Sequence, residues 1–371
     1  MFDDRFLRLC VHTLRQSIIG MGRGIAFPSI SRHQIESLVI PLPPLAEQYR
    51  IVAKVDELMA LCDRLEGAQA ERERKRNRLT AASLHRLNQP ADAGDGAGFR
   101  EHARFHISHL SRFTTRPDQV PALRRTIYNL AIRGKLVGRE HNDVPVPPLR
   151  RADTSTGFDV RVFSKALASL TVPPHWSVEP LGRVAAAIVD CPHSTPKWTE
   201  SGRICVRTNQ FRPGFLDLSA VRFVSEETYS ERIQRLRPVE NDILYSREGG
   251  ILGVACRVPA NIQLCLGQRM MLIRAGAATD SAFLELVLNS PFIREIARGN
   301  TTGGAAPRVN VATVRAYPIP LPPLGEQHRI LAKVEELMAL CDRLEAQLTT
   351  AQTENHRLLE AVLCEALASA A

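Results

Sequence analysis

Residues 40–66 read IPLPPLAEQYRIVAKVDELMALCDRLE, and residues 319–345 read IPLPPLGEQHRILAKVEELMALCDRLE. The two stretches differ at four of 27 positions, Ala46/Gly325, Tyr49/His328, Val52/Leu331 and Asp56/Glu335, at an offset of 279 residues. An offset that wide excludes a solenoid, whose units recur every ~20–50 residues. One module therefore stands twice in a chain of 371 residues, with other material between the copies.

Proline fixes φ and disfavours helix at the residue before it, so Ile-Pro-Leu-Pro-Pro is extended. Pro44 and Pro323 suit the first turn of a helix, where Glu47 and Glu326 meet the positive end of the helix dipole. Apolar residues then recur at heptad spacing: Ile51, Val55, Leu58, Cys62 and Leu65 in the first copy, and Ile330, Val334, Leu337, Cys341, Leu344 and Leu348 in the second. A stripe this narrow is a coiled-coil seam. Each helix is expected to run for about 40 residues, or roughly 60 Å. The simplest partner for each seam is the other copy; the plainer alternative is that each helix packs on its own domain.

Between the copies, residues 89–97 and 141–156 read as linkers. VPALRRTIYNLAIRGKLVG (120–138) reads as an amphipathic helix ending at a glycine. Residues 171–318 read as mixed α/β, with strands at Ile204–Val206, Val221–Val224, Asp242–Tyr245, Gly253–Val258 and Met270–Arg274, and helices capped by Ser225, Asp280 and Ser290. Polar loops at 191–198, 207–214, 245–250, 266–270 and 300–310 interleave with them. Arginine pairs with guanine edges and Asn or Gln with adenine edges, while Ser, Thr and backbone amides hold phosphates. Lys197, Arg207, Asn209, Arg212, Arg247, Gln268, Arg269 and Arg308 are therefore the candidate DNA contacts, with Arg247 and Arg269 preferred as base readers. Residues 1–39 resemble the stretch before the second copy, Pro28 standing for Pro307 and Ile30 for Val309. On that reading the chain begins inside a domain whose first part is missing.

The formal net charge is +9, from 48 Lys and Arg against 39 Asp and Glu, which favours a polyanionic partner. A genome rich in G and C would also enrich arginine, so charge alone decides little. No apolar run approaches the ~20 residues that span a bilayer. The opening Met1-Phe2-Asp3-Asp4-Arg5 leads into no leader-like run. Eight scattered cysteines without a CxxC pair fit reduced thiols in a cytoplasmic protein. The chain has no GxxxxGK[ST] for ATP and no HExxH. Glu73-Arg74-Lys75 imitates a nuclease motif inside a charged helix, and Cys191-Pro-His193 starts a metal site that no second pair completes. No catalytic residue, metal or cofactor is expected.

The doubled IPLPPLxEQxRI helix resembles the conserved regions of the specificity (S) subunit of type I restriction-modification enzymes. VPPHWSVEPLG (172–182), DCPHSTPKW (190–198), RTNQFRPG (207–214) and ENDILYSREGGILG (240–253) resemble that family's target recognition domain, and LRRTIYNLAIRGKLV (123–137) its helix before the second such domain. The resemblance implies an α/β (α+β) recognition domain plus two long α-helices in an antiparallel coiled coil. It implies a non-catalytic subunit that reads double-stranded DNA. Modification (M) subunits bound through the helices methylate adenine, and restriction (R) subunits complete the complex.

The parts are then 1–43, remnant of a first recognition domain; 44–90, first long helix; 91–156, basic helical spacer; 157–318, recognition domain; and 319–371, second long helix. Ile51, Val55, Leu58, Leu65, Ile330, Val334, Leu337 and Leu344 would carry helix pairing. Shortened members of the family pair with one another, so self-association is also expected. The competing reading is a truncated S-like chain that binds M through its helices and reads no defined bipartite site.

Overall fold

The computed structural model describes residues 2–22, 29–88, 96–147, 157–303 and 307–369. The chain divides into two compact units, 1–79 and 80–371, the boundary falling within the first long helix. Most of both expected linkers, with Gly24 and Pro28, lies outside the described residues.

All named strands belong to the second unit: β1 (Ser177–Pro180), β2 (Ala185–Asp190), β3 (Trp198–Thr199), β4 (Arg203–Val206), β5 (Phe211–Arg212), β6 (Phe215–Leu216), β7 (Phe223–Val224), β8 (Ile243–Ser246), β9 (Ala255–Arg257), β10 (Leu264–Leu266), β11 (Met270–Ala275) and β12 (Pro318–Leu321). One sheet has the order β2-β11-β8-β9, all antiparallel; a second has β10-β4-β7-β3, with β10 and β4 parallel. β1 pairs antiparallel with β12, and β5 with β6.

The first sheet is covered on both faces, and strand alternation sorts its residues between two cores. Ile243, Tyr245, Met271 and Ile273 face one core together with helices Ser281–Asn289 and Pro291–Gly299. Leu244, Cys256, Met270 and Leu272 face the other, shared with Val206, Leu264 and Leu266 of the second sheet. Burial on both faces explains why these strands read as continuous apolar runs. Ser225, Asp280 and Ser290 cap helices as expected, each side chain accepting a first-turn amide.

The helix expected over 120–138 is Val120–Ile132. It stops six residues early because Gly134 adopts φ +65°, with Lys135 N donating to Leu130 O at 2.9 Å and Gly134 N to Ala131 O at 3.2 Å. That is a Schellman cap, in which glycine carries the left-handed residue at no steric cost.

The long helices are Leu45–Asn88 and Leu324–Ser369. The second copy's seam packs within its own unit: Ile330, Val334 and Cys341 are buried, and Leu337, Leu344 and Leu348 lie against the same core as the Val120–Ile132 helix. Arg124 of that helix donates to Asp342 and Glu345, both at 2.6 Å. These turns thus pack on their own unit. In the first copy, Ile51, Leu58, Cys62 and Leu65 are exposed and Val55 is half-buried, whereas Val52 joins Phe6 and Cys10 in a small core.

The amino-terminal unit repeats the end of the second unit beyond the quoted motif. Helix Asp4–Thr13, capped by Asp3, matches Ser281–Asn289, capped by Asp280. Arg15–Met21 matches Pro291–Gly299, and Arg32–Glu36 matches Val311–Arg315. Gln48 accepts from Asp3 N at 2.8 Å and donates to Pro43 O at 2.9 Å. Gln327 likewise accepts from Asp280 N at 2.8 Å and donates to Pro322 O at 2.9 Å. One glutamine thus ties helix entry to the cap of a neighbouring helix in both copies.

Candidate nucleic-acid interface

Three antiparallel strands set one end of the first sheet. β2 ends at Asp190, β8 at Ser246, and β11 starts at Met270, with Met271 opposite Asp190 and Met270 opposite Ser246. The loops leaving these ends therefore converge, and they carry Arg247, Gln268 and Arg269. The 300–310 loop joins them through backbone pairing: Val309 N donates to Arg247 O at 2.9 Å, Gly249 N to Pro307 O at 3.0 Å, and Glu248 bridges Arg308.

Arg247 spans the gap between β8 and β2. Its Nε and Nη2 donate to the two Asp190 carboxylate oxygens at 2.8 and 2.7 Å, and Nη1 donates to Val309 O at 3.2 Å. The side chain is 8% exposed. This corrects the preference for Arg247 as a base reader: its hydrogen-bonding edge is spent inside the protein, where it locks three loops together. Arg269, the other preferred reader, is placed differently. It sits at φ +68°, its side chain is 56% exposed, and its nearest anion is Glu248, 3.7 Å from Nε. That distance is an ion pair rather than a hydrogen bond, so the guanidinium fork faces solvent.

The second sheet feeds the same region. Gly267 N donates to Val206 O at 2.9 Å, and a Cβ on Gly267 would lie 2.4 Å from that oxygen, so only glycine permits the approach. Gln268 donates to His193 O at 2.6 Å and to Thr195 Oγ1 at 3.3 Å, which fixes loop 191–198 beside β11. Lys197 on that loop is exposed. Arg207 follows Val206; its Nε is buried and has no hydrogen-bond partner among the described residues. Asn209 is exposed, and Arg212, also exposed, is engaged within its own hairpin, donating to Asn209 O at 2.9 Å and Asp217 at 3.1 Å. Arg308 is exposed. The fold thus gathers Gln268, Arg269 and Arg308 with Arg247 beneath them, leaves Arg212 committed elsewhere, and sets Lys197 just ahead of β3, level with Arg203 rather than with Gly267.

Sequence reasoning missed the residues that hold this arrangement. Arg232, 6% exposed, donates to Leu266 O, Gly267 O and Ser194 O at 2.7, 3.2 and 2.6 Å. Asp190 anchors Arg247, and His193 Nε2 lies 3.3 Å from it. An arginine within the Glu226–Ile233 helix reads as surface charge, so no sequence signal marked Arg232. Asp190 was marked only as the first residue of DCPHSTPKW, with no role given to it.

Other chemistry disperses. Burial pushes the Cys191 thiol up, and its Sγ accepts from Met270 N at 3.4 Å. Among the described residues, no group of three or more His, Cys, Asp or Glu could hold a metal ion. Glu73 pairs with Arg76 and Lys75 with Glu71 along one helix, as a charged surface does. Among the described residues, no helix is long and apolar enough to cross a membrane.

A family model described as the type I restriction modification DNA specificity domain matches residues 2–73 and 207–351, more than half of the chain. The type I restriction enzyme EcoAI specificity subunit of Escherichia coli is 27% identical over 367 residues, covering 92% of this chain and 59% of that protein. The EcoEI specificity subunit of Escherichia coli is 26% identical over 364 residues, with 91% and 60% covered. The chain therefore spans about three fifths of the length of these curated relatives. Among solved structures, the HsdS subunit from Thermoanaerobacter tengcongensis is similar at 20% identity and a TM-score of 0.41, covering 98% of this chain and 69% of that one.

Proposed function

Because the chain belongs to the family of type I restriction-modification DNA specificity domains, we propose that it reads a DNA sequence on behalf of partner subunits that carry out the chemistry. The observation that carries this reading is the sheet end where Arg269 and Arg308 stand exposed over loops pinned by Arg247, Asp190 and Arg232. A rigid platform beneath exposed guanidinium groups suits bidentate contact to guanine in the major groove, with Lys197 on phosphate. Modification subunits then methylate adenine and restriction subunits cut, in the cytoplasm, while this chain supplies no catalytic group.

The long helices are the proposed spacer and docking surface for modification subunits. Ile330, Val334, Leu337 and Leu344 spend apolar surface on their own unit. Antiparallel helix pairing therefore falls, on this proposal, to Ile51, Val55, Leu58 and Leu65 and to the later turns bearing exposed Leu358, Leu359, Val362 and Leu363. A second reading, binding of modification subunits without a defined bipartite site, is favoured by one observation: the amino-terminal unit has no named strand among its described residues.

Fluorescence anisotropy against random duplexes tests the DNA role. Affinity should fall steeply with salt, and Lys197→Ala should weaken all duplexes alike and flatten the slope by about one unit in log–log form. Salt-independent affinity, or none at low salt, would refute it.

A further inference from the structure

The β5–β6 hairpin has two unlike faces. Phe211 lies opposite Leu216, and both are buried in the core shared by the two sheets. Arg212 lies opposite Phe215, and both are exposed, Phe215 at 58%. Residues directly opposite share a face, so the hairpin turns an arginine and a phenylalanine outward. The outward ring has no part in the core that Phe211 and Leu216 fill.

The backbone that carries this ring is held at its base and at its tip. Gln210, 4% exposed, donates to Asp217 O and Ala220 O, both at 3.3 Å, and accepts from Arg207 N at 2.8 Å. Arg212 braces the hairpin through Asn209 O and Asp217. Gly214, at φ +89°, donates to Ala255 O at 3.2 Å, and the buried Asn289 amide donates to the same oxygen at 2.9 Å. That last anchor sets the hairpin's place. Asp190 stands opposite Met271, Met271 opposite Tyr245, and Tyr245 opposite Ala255, one row across the first sheet. Gly214 continues the row beyond β9, at the sheet end from which Arg247 and Arg269 project. Three strand spacings separate Met271 from Gly214, about 14 Å, so contacts by Arg269 and by Phe215 fall on different base pairs.

We propose that Phe215 is a wedge whose ring stacks on a DNA base displaced from the duplex stack, apart from the base pair that Arg269 reads. Apolar side chains enter base steps in this way, and every base offers a π face to an aromatic ring. A braced hairpin presents the ring with little conformational freedom left to lose on binding. The inference rests on the DNA reading above and adds to it a contact that is aromatic rather than charged.

The test uses the full chain and fluorescence anisotropy on two probes: a fully paired duplex, and the same duplex with one unpaired base inserted at its centre. An unpaired base is already partly unstacked, so the wild-type chain should bind the second probe about tenfold more tightly. Phe215→Ala should erase that preference. It should leave the salt slope unchanged, because no charge is lost, and the urea midpoint unchanged, because the ring is exposed. Phe215→Trp should keep the preference and lose its added emission on the second probe, as a stacked indole does. Equal wild-type affinity for the two probes, or a preference that survives Phe215→Ala, overturns the wedge and leaves the DNA reading standing. A preference erased together with a lowered urea midpoint makes the ring a structural element and also overturns the wedge. No binding to either probe at low salt overturns the DNA reading and the wedge with it.

Discussion

Arg247 tests whether the loops are read correctly. Arg247→Ala removes both bonds to Asp190 and the bond to Val309 O, and leaves Asp190, 17% exposed at its side chain, without its main partner. Breaking a buried ion pair from one side costs about 3–5 kcal/mol. Arg247→Lys keeps the charge but cannot serve both carboxylate oxygens and the carbonyl, and should cost about 1.5–3 kcal/mol. Both tryptophans, Trp176 and Trp198, lie in the second unit, so urea unfolding followed by their fluorescence reports on the unit that contains the pair. At an m-value of ~3 kcal/mol/M, Arg247→Ala should lower the midpoint by more than ~1 M. Asp190→Ala added to it should cost far less than Asp190→Ala alone, because coupled partners are non-additive. DNA affinity of Arg247→Lys should fall evenly across duplexes. An Arg247→Ala midpoint within ~0.2 M of wild type, together with relaxed choice at a single base pair, would make Arg247 a base reader and refute the positioning role.

Arg269→Lys should leave the urea midpoint unchanged and lose about 1–3 kcal/mol of discrimination at one base pair, measured by competition with single-substituted duplexes. Burial pushes the Glu285 carboxyl up to about 7 against its 4.5 reference, despite Arg257 at 2.9 Å. The folded state therefore holds the proton more tightly than the unfolded one. This contribution is fully present below pH 4.5 and is lost as pH rises through about 7. Glu285→Gln should gain on wild type by on the order of 2–3 kcal/mol between pH 5 and pH 8, and a pH-independent difference would contradict the assignment. Gly134→Ala forces a left-handed alanine and sets its Cβ 2.4 Å from Pro173 Cγ, so it should cost about 2–4 kcal/mol, again read by Trp fluorescence.

The sequence made some elements legible because their signals are local. Ser225, Asp280 and Ser290 cap helices through their own side chains, and the Pro-rich entry is extended by covalent geometry, so each could be placed without knowing the fold. β2 was missed because AAAIVD is alanine-rich and its burial shows no alternation. β1 was missed, and β12 was read only as an extended stretch, because each is a strand only through the other, across 137 intervening residues. The seam was legible as apolar periodicity, but periodicity carries no partner, and the second copy's partner proved to be the Val120–Ile132 helix. Loop composition drew attention to Gln268, Arg269 and Arg308, which the fold brings to one sheet end, because polar loops leave strands at their ends. It could not separate Arg269 from Arg247, since inward and outward arginines have the same composition.

Methylome sequencing of a host expressing this chain with its cognate modification subunit bears most directly on sequence reading. The account expects adenine methylation confined to a defined sequence with wild-type chain, and broadened at one base pair with Arg269→Lys. Methylation at the same sites without this chain, or with Lys197, Arg269 and Arg308 all changed to alanine, would contradict it.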